Sequence, residues 1–263
     1  MPLILCHSPK GGVGTSFIAA GLAQGLSQLG REVVLLDMTA QGGVKHYFGL
    51  SPDHPLPDLE DDVIDQVAVG GVSLRSGRRA SAQEDFAEAL RSGDLPFDGE
   101  TFYIADVASG DFALARLLQR HARLHVCALL PAAMSLALLP QVSPGRRLDT
   151  LDRTVFVLNQ LDETRRFARH AALFLRELLG DNLIAQIHRD EAVNEAVGMQ
   201  QTLARYAPAS LALADVRKLA GIVDVLTRQE PAVRDEIGSD GGPTGEGDNR
   251  GSSSRSSASS EAA

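Results

Sequence analysis

Short apolar runs alternate with longer helix-like segments along most of this 263-residue chain. The apolar runs lack polar interruptions, which is typical of strands that are buried on both faces of a parallel sheet. We predict strands at residues 2–7, 32–37, 102–107, 124–130, 153–159 and 182–187. We predict helices near residues 15–29, 111–121, 164–179, 189–198 and 209–227. This alternation predicts an α/β fold in which a doubly wound, mostly parallel sheet is flanked by helices.

Glycines and changes of composition mark the ends of these elements. Gly30 and Gly180 follow two predicted helices and are interpreted as C-terminal stops. Residues 51–62 are rich in proline and acidic residues, which predicts a surface excursion, and the run at 67–74 predicts an additional strand. From about Pro231 the chain is dominated by small and charged residues that cannot build a core. We therefore predict one folded domain at residues 1–230 and a disordered Ser/Gly-rich tail at 231–263.

Composition and charge exclude several classes of protein. No run approaches the roughly 20 apolar residues that span a membrane, and the tail lacks a basic amphipathic helix, so no direct membrane insertion is expected. A net charge of −9 and a pI near 5.2 disfavour non-specific nucleic-acid binding. With no secretory signal, Cys6 and Cys127 are interpreted as buried reduced thiols of a cytoplasmic protein. Apart from His188, the histidines, including His121, His125 and His170, show no metal-binding spacing and are expected at surface or boundary positions.

The most informative chemistry lies between the first predicted strand and the first helix. Residues 8–16 read Ser-Pro-Lys-Gly-Gly-Val-Gly-Thr-Ser. Backbone N–H groups of such a glycine-rich turn cradle phosphate oxygens at a helix N-terminus. In the general pattern, GxxxxGK followed by Ser or Thr, Thr15 stands at the lysine position and Ser16 at the position of the Mg²⁺-binding hydroxyl. We interpret this segment as a phosphate loop without its central lysine; the alternative is a turn that only joins a strand to a helix.

The early lysine of this loop points to a family. Lys10 precedes the Gly-Val-Gly turn by two residues, which resembles the deviant Walker A loop, KGGxGK followed by Ser or Thr, of the dimerising ParA/MinD ATPases. The resemblance implies a P-loop NTPase fold at residues 1–230, a homodimer, and ATP and Mg²⁺ as cofactors. It assigns nucleotide binding to Lys10, Gly11, Gly12, Val13, Gly14, Thr15 and Ser16. In the family the early lysine contacts the phosphates that the partner subunit holds.

Two later strand ends resemble the metal side of the same family. Asp37 begins a segment similar to the switch sequence DxDPQG, in which the first carboxylate orders Mg²⁺-bound water. Thr39 stands in place of the second carboxylate, and a hydroxyl cannot act as a carboxylate base. Asp106 ends an apolar run and is implied to hold Mg²⁺ through a water. The resemblance thus implies a metal site at Ser16, Asp37 and Asp106, with Lys10 and Asp37 as the catalytic residues.

Two further segments are implied to contact the base of the nucleotide. The segment ending at Asn159 resembles the family sequence VxNR, and an amide both donates and accepts, as a purine edge requires. The alternative is a strand-end Asn that caps the next turn. His188 stands where most of the family has the Pro of Ile-Pro-x-Asp, and His188 and Asp190 are assigned to the nucleotide site.

The loop without lysine and the His-Arg-Asp-Glu segment starting at His188 together resemble one branch of this family, BcsQ (YhjQ), of bacterial cellulose-synthesis operons. The branch implies an ATP-binding, dimerising regulatory and assembly subunit of the cellulose secretion complex. Partners, including a small regulatory subunit and the synthase complex, would recruit it to the inner face of the inner membrane. Thr15 and Thr39 predict slow or absent hydrolysis, which leaves enzymatic activity uncertain. The alternatives are a ParA-like ATPase that positions DNA or another cargo, and a degenerate scaffold that binds no nucleotide.

Overall fold

The computed structural model describes residues 3–61, 66–95, 97 and 99–228. Its strands are β1 (Leu3–Cys6), β2 (Val33–Asp37), β3 (Val67–Val69), β4 (Val72–Ser76), β5 (Phe102–Asp106), β6 (Leu124–Leu129), β7 (Thr154–Leu161) and β8 (Leu183–His188). Its α-helices are α1 (Thr15–Gln28), α2 (Arg78–Ser81), α3 (Phe86–Ser92), α4 (Phe112–His121), α5 (Ala133–Ala137), α6 (Arg166–Leu179), α7 (Ala192–Gly198), α8 (Leu203–Tyr206) and α9 (Leu211–Arg228). The predicted tail at 231–263 lies outside the described residues.

The strands form one sheet in the order β3-β4-β2-β5-β1-β6-β7-β8. Neighbouring strands are parallel throughout this sheet except for the antiparallel pair β3 and β4. The predicted fold class, a mostly parallel sheet flanked by helices, is confirmed. Because parallel strands in register end at the same edge, Asp37 at the end of β2 pairs with Asp106 at the end of β5. This register brings two predicted metal-site carboxylates together.

Both faces of the sheet are buried, which explains the uninterrupted apolar runs. Along β1, Ile4 and Cys6 face the core that includes α1 and α9, whereas Leu3 and Leu5 face the core that includes α3 and α4. A third core lies beneath α6. Cys6 and Cys127 are buried and free, as predicted, and burial raises the pKa of the Cys127 thiol to about 12.

The predicted single strand at 67–74 is wrong, because the chain forms a hairpin there. Gly70 and Gly71 both adopt positive φ, 61° and 80°, and they reverse the chain between β3 and β4. Consecutive residues with positive φ make the tight turn that matches strand twist, and glycine adopts this conformation without steric cost. The apolar pattern on both sides of the turn hid the reversal.

The predicted surface excursion at 51–62 is described up to residue 61 and is only partly at the surface. Residues 51–53 are exposed, but Asp58 is buried and pairs with Ser76 as an isolated parallel bridge. The buried Arg75 guanidinium donates to the backbone carbonyls of Asp58 and Asp61, each at 3.0 Å. These contacts hold the segment around Asp58 against the end of β4.

Glycines allow α1 and α9 to pack closely. A Cβ atom on Gly25 would lie 2.4 Å from the Cβ of Ala220, and one on Gly21 would lie 2.7 Å from a methyl group of Val216. Ordinary side chains cannot approach so closely, so the separation of the two helices depends on these glycines. Since the phosphate loop at residues 8–16 runs into the first turn of α1, this packing also fixes where the loop lies.

We expect Gly25→Ala to lower the free energy of unfolding by about 1–3 kcal/mol, because the added methyl group overpacks the contact with Ala220. Gly221→Ala on α9 is the matched control, since a Cβ there has no atom within 4 Å. Removing a flexible glycine from a helix should stabilise that variant by about 0.4–1 kcal/mol. Urea unfolding of both variants measures the difference, and equal stabilities would contradict the close packing.

The surface of α6 exposes several large apolar side chains. Phe167 is 53% exposed, Leu173 59% and Phe174 50%. The same helix buries Ala168 and Leu175 against the third core, so its apolar residues occupy both sides. No helix among the described residues has both the length and the apolar character needed to cross a bilayer.

Candidate nucleotide-binding site

The phosphate loop, residues 8–16, has a backbone suited to binding an anion. Gly12 and Gly14 adopt positive φ, 73° and 87°, and Gly14 immediately precedes α1. No side chain caps this helix end, and its first turn contains no acidic residue. The N-terminal N–H groups and the positive end of the helix dipole therefore remain available to a phosphate.

Gly14 is also required by its contact with Asn159. The buried Asn159 side chain donates through Nδ2 to the backbone carbonyl of Val13 at 2.8 Å. A Cβ atom on Gly14 would lie 2.3 Å from the same Nδ2 atom. Asn159 thus supports the backbone of the phosphate loop. Its contact with a purine stays a prediction.

A bulge in β7 lies next to Asn159 and positions its side chain. The pairing of β7 with β8 is irregular between Leu158 and Leu161, and Gln160 there has a φ of 54°. Positive φ in a non-glycine residue is uncommon, and bulges redirect side chains near sites. Gln160, which stands at the Arg position of the VxNR pattern, lines the same cavity as Gly14 and Asn159. The sequence offered no signal for the bulge.

Asp37 is occupied by hydrogen bonds from its own loop. Oδ1 accepts from the backbone N–H of Thr39 at 2.9 Å and from its hydroxyl at 2.7 Å, and Oδ2 accepts from the N–H of Val44 at 3.1 Å. Thr39 is buried and also accepts from the N–H of Gly42 at 3.2 Å. The hydroxyl of Thr39 therefore holds the turn after β2 closed around Asp37.

Asp106, the neighbouring carboxylate at this edge of the sheet, differs from Asp37 in its hydrogen bonding. Its side chain is buried, and neither Oδ atom has a hydrogen-bond partner among the described residues. Burial raises the pKa of Asp106 to about 7; the nearby Ser16 hydroxyl, although outside hydrogen-bond geometry, partly opposes this rise, and the negative charge of Asp37 adds to it. A buried carboxylate without partners is costly unless something pairs with it.

These groups fit a magnesium ion bound together with phosphate. Mg²⁺ is usually held by one or two carboxylates, with phosphate oxygens and waters completing its coordination. Asp106 offers two unpartnered oxygens, and Ser16 faces it from the start of α1. No cluster of three or more His, Cys, Asp or Glu ligands occurs among the residues that the structure describes, so a site completed entirely by protein side chains does not fit.

The Lys10 side chain makes little contact with the rest of the loop. It is partly exposed, and its Nζ donates only to the adjacent carbonyl of Gly11, at 3.3 Å. No other described residue fixes the ammonium group. Its predicted reach to phosphates of a partner subunit stays a prediction.

A small cavity of about 110 Å³ beside the phosphate loop brings the remaining predicted residues together. Gly14, Asn159, His188 and Asp190 all line it. Two aromatic residues that the sequence analysis missed, Phe17 and Tyr47, also line the cavity, and their ring centroids are 5.8 Å apart.

His188 and Asp190 also form hydrogen bonds within the protein. His188 contacts Asp215 Oδ2 twice, through Nδ1 at 2.7 Å and through its backbone N–H at 3.1 Å. Asp190 accepts from the Ser210 hydroxyl at 2.6 Å, and this bond lowers the pKa of Asp190. These contacts tie β8 and the following loop to the start of α9. Binding of the base by either residue stays a prediction.

Comparison with known proteins identifies this arrangement. The model of the CobQ/CobB/MinD/ParA nucleotide binding domain family, CbiA, matches residues 4–203. The chain belongs to this family. Comparison with curated proteins gave no match.

Solved structures of MinD and ParA proteins share the fold. The Pyrococcus horikoshii septum site-determining protein MinD, complexed with Mg-ADP, has a TM-score of 0.65 at 19% identity, covering 86% of this chain and 97% of that chain. A ParA family ATPase from Chlorobium tepidum has a TM-score of 0.65 at 20% identity, covering 83% and 97%. The Aquifex aeolicus MinC:MinD cell division complex gives 0.62 at 18% identity, covering 84% and 96%. Identities this low show the fold alone.

In this MinD/ParA-like chain, two histidines lie behind the phosphate loop. The expectation that His125 is a surface or boundary residue is wrong, because it is buried on β6. Its Nε2 lies 3.3 Å from the carbonyl of His7, and the two rings are 6.2 Å apart. Burial, and then the neighbouring His7, lower the pKa of His125 to about 4. His7 Nε2 is buried without a partner among the described residues.

Proposed function

We propose that this chain is an ATP-binding, dimerising regulatory and assembly subunit of a bacterial cellulose secretion complex, with slow or absent ATP hydrolysis. One observation carries the proposal. The phosphate cradle and the unpartnered Asp106 carboxylate are retained, whereas Thr39, bonded to Asp37, stands where hydrolysis needs a second carboxylate. The site therefore has the groups that bind and lacks those that accelerate turnover.

Binding would be shared by the backbone and the metal. Ser16, Asp37 and Asp106 would hold Mg²⁺, directly or through water, and the ion would neutralise phosphate charge. Losing the central lysine costs about 1.5–3 kcal/mol, or roughly ten- to a hundredfold in affinity. The N–H groups of the loop and the start of α1 supply the rest, and Phe17 and Tyr47 offer apolar faces to a base.

Hydrolysis asks more of the site than binding does. Phosphoryl transfer depends on charge stabilisation in the transition state and on placing the attacking water. Thr15 supplies no charge, and the Thr39 hydroxyl donates to Asp37 at 2.7 Å. A protein that binds ATP and releases it slowly suits a structural switch more than a cycling motor.

The dimer and the partners are the finer part of the proposal. Lys10, partly exposed and fixed only to Gly11, is free to reach a second subunit. The exposed apolar residues of α6 offer a surface for another protein, and the Aquifex MinD relative is in complex with MinC. Cellulose secretion enters through the resemblance of the loop and of the segment starting at His188. Recruitment from the cytoplasm to the inner membrane would then occur through the partners.

The experiment is the light-scattering mass of the protein with Mg²⁺, with and without ATP, for the wild type and two variants. We expect ATP to double the mass of the wild type, and Lys10→Ala to remain a monomer because it lacks the charge donated across the dimer. Arg217→Ala is the matched control, since it removes one positive charge from an exposed position on α9. It should dimerise like the wild type. A mass unaffected by ATP in all three proteins would contradict the proposed switch.

Two alternative functions give different results. A ParA-like ATPase that positions DNA or another cargo needs steady turnover, so a rate comparable to that of loops with a full motif would favour it. A degenerate scaffold would bind no nucleotide, and calorimetry with Mg²⁺ and ATP would show no heat of binding. A cellulose synthase gene beside the gene for this chain would favour the proposed role.

A further inference from the structure

A second cavity, of about 470 Å³, lies apart from the phosphate loop. It is bounded by α4, by the segment that follows α5, and by the residues that lead into β7. Four arginines line it, namely Arg116, Arg120, Arg146 and Arg153. Its volume falls within the range of small-ligand sites, which is roughly 300–1,000 Å³.

The side chains that line this cavity carry a net positive charge, unlike the protein as a whole. The protein as a whole has a net charge of −9, yet Asp152 is the acidic residue among those lining the cavity. None of the four arginines forms an ion pair with another described residue, whereas the neighbouring Arg147 pairs with Asp149 at 2.7 Å. A cleft lined by charge of one sign concentrates the field and attracts ions of the opposite sign.

Guanidinium groups select a particular kind of anion. Their planar, fixed donors match the oxygens of phosphate, and two or more of them hold a multiply charged phosphate more strongly than a carboxylate. Arg116 and Arg120 lie one turn apart on α4, so their side chains project from the same face of the helix. This spacing suits a ligand with more than one phosphate.

A polar connection leads from this cavity to the phosphate loop. Two of its lining residues, Gln119 and Thr154, contact His125: Gln119 Nε2 lies 3.3 Å from His125 Nδ1, and Thr154 Oγ1 lies 3.4 Å from the same atom. On its other side His125 contacts the carbonyl of His7, the residue directly before the phosphate loop. The four residues form a continuous path between the two sites.

We propose that the arginine-lined cavity binds a small ligand carrying more than one phosphate, and that the His125–His7 pair senses its occupancy. Neither part requires that the phosphate loop bind ATP. Because the path ends at the loop, such a ligand would act as an effector of the nucleotide site, a consequence that rests on the proposed function.

Calorimetric titration with inorganic pyrophosphate tests the binding. We expect the wild type to bind, and Arg116→Gln/Arg120→Gln to bind at least about tenfold more weakly, because charge-assisted contacts are lost. Arg166→Gln/Arg176→Gln on α6 is the matched control, since it removes the same charge from exposed positions on another helix. Its affinity should equal that of the wild type.

Three results would overturn the proposal. One is that the wild type binds no pyrophosphate, which leaves the cavity without its ligand class. Equal affinity in Arg116→Gln/Arg120→Gln and wild type would place the binding elsewhere, the phosphate loop included. Binding of a short DNA duplex through Arg116 and Arg120, without binding of pyrophosphate, would make these arginines part of a nucleic-acid surface.

Nitrogen-15 NMR of the histidine rings tests the sensing. We expect pyrophosphate to shift the ring signals of His125 and His7 in the wild type and in Arg166→Gln/Arg176→Gln, and to leave them unshifted in Arg116→Gln/Arg120→Gln. Signals of the exposed His170 on α6 serve as the internal control. Shifts that persist in Arg116→Gln/Arg120→Gln would come from pyrophosphate at the phosphate loop and would contradict the sensing.

Discussion

Asp106→Asn is expected to stabilise the ligand-free protein by about 2–4 kcal/mol at pH 8 and to abolish its stabilisation by Mg²⁺ and nucleotide. The folded protein raises the pKa of this carboxyl from 3.8 to about 7, and each pKa unit corresponds to about 1.4 kcal/mol. Because the folded pKa lies above the unfolded value, ionisation costs more in the folded state, and stability falls as pH rises from 3.8 through 7. Asparagine has nearly the same shape and carries no charge.

Urea unfolding at several pH values measures this effect. The advantage of Asp106→Asn should be full above pH 7 and should shrink as the pH falls toward 3.8, where the wild-type carboxyl is protonated in both states. Asp224→Asn is a control of opposite sign, since Asp224 is buried and accepts from Arg31 and Arg228. Removing that charge should destabilise the protein. A lower stability of Asp106→Asn than of the wild type at pH 8 would show that the metal-free Asp106 carboxylate does not destabilise the folded protein.

Gly14→Ala is expected to weaken nucleotide binding by about a hundredfold or more, because the phosphate loop cannot keep its shape. A methyl group there lies 2.3 Å from Asn159 Nδ2, so the asparagine must break its bond to the Val13 carbonyl or the loop must move. Losing that bond leaves buried polar groups unpaired, at about 1–3 kcal/mol each. The positive φ of 87° adds strain of about 1 kcal/mol.

Gly12→Ala separates the clash from the strain. Gly12 has a φ of 73°, but a Cβ there has no atom within 4 Å. It should therefore show the backbone strain alone and lose less than about tenfold in affinity. Calorimetry with Mg²⁺ and ADP compares the two variants. Equal losses would mean that the contact of Gly14 with Asn159 does not shape the site.

Local sequence predicted the elements that repeat a regular pattern. The predicted strands that match β1, β2 and β5 to β8 agree within one or two residues at each end, since burial on both faces requires apolar runs of this kind. Prediction failed at 67–74, where two left-handed glycines divide an apolar run into a hairpin. It also failed at His125, because an isolated polar residue within an apolar strand gives no sign of which side chains will meet it.

The sequence by itself determined the family and put a glycine-rich segment with threonine, not lysine, at position 15 after the first strand, because these depend on residue types at fixed spacing along the chain. Only the tertiary structure decided that both oxygens of Asp37 accept hydrogen bonds while those of Asp106 have no partner in the part of the chain that the structure describes. It also decided that Asn159 supports Val13 from 146 residues away and that four arginines share one cavity. Such facts depend on distances between segments remote in sequence, and a carboxylate's partners and pKa are set by the neighbours that folding brings to it.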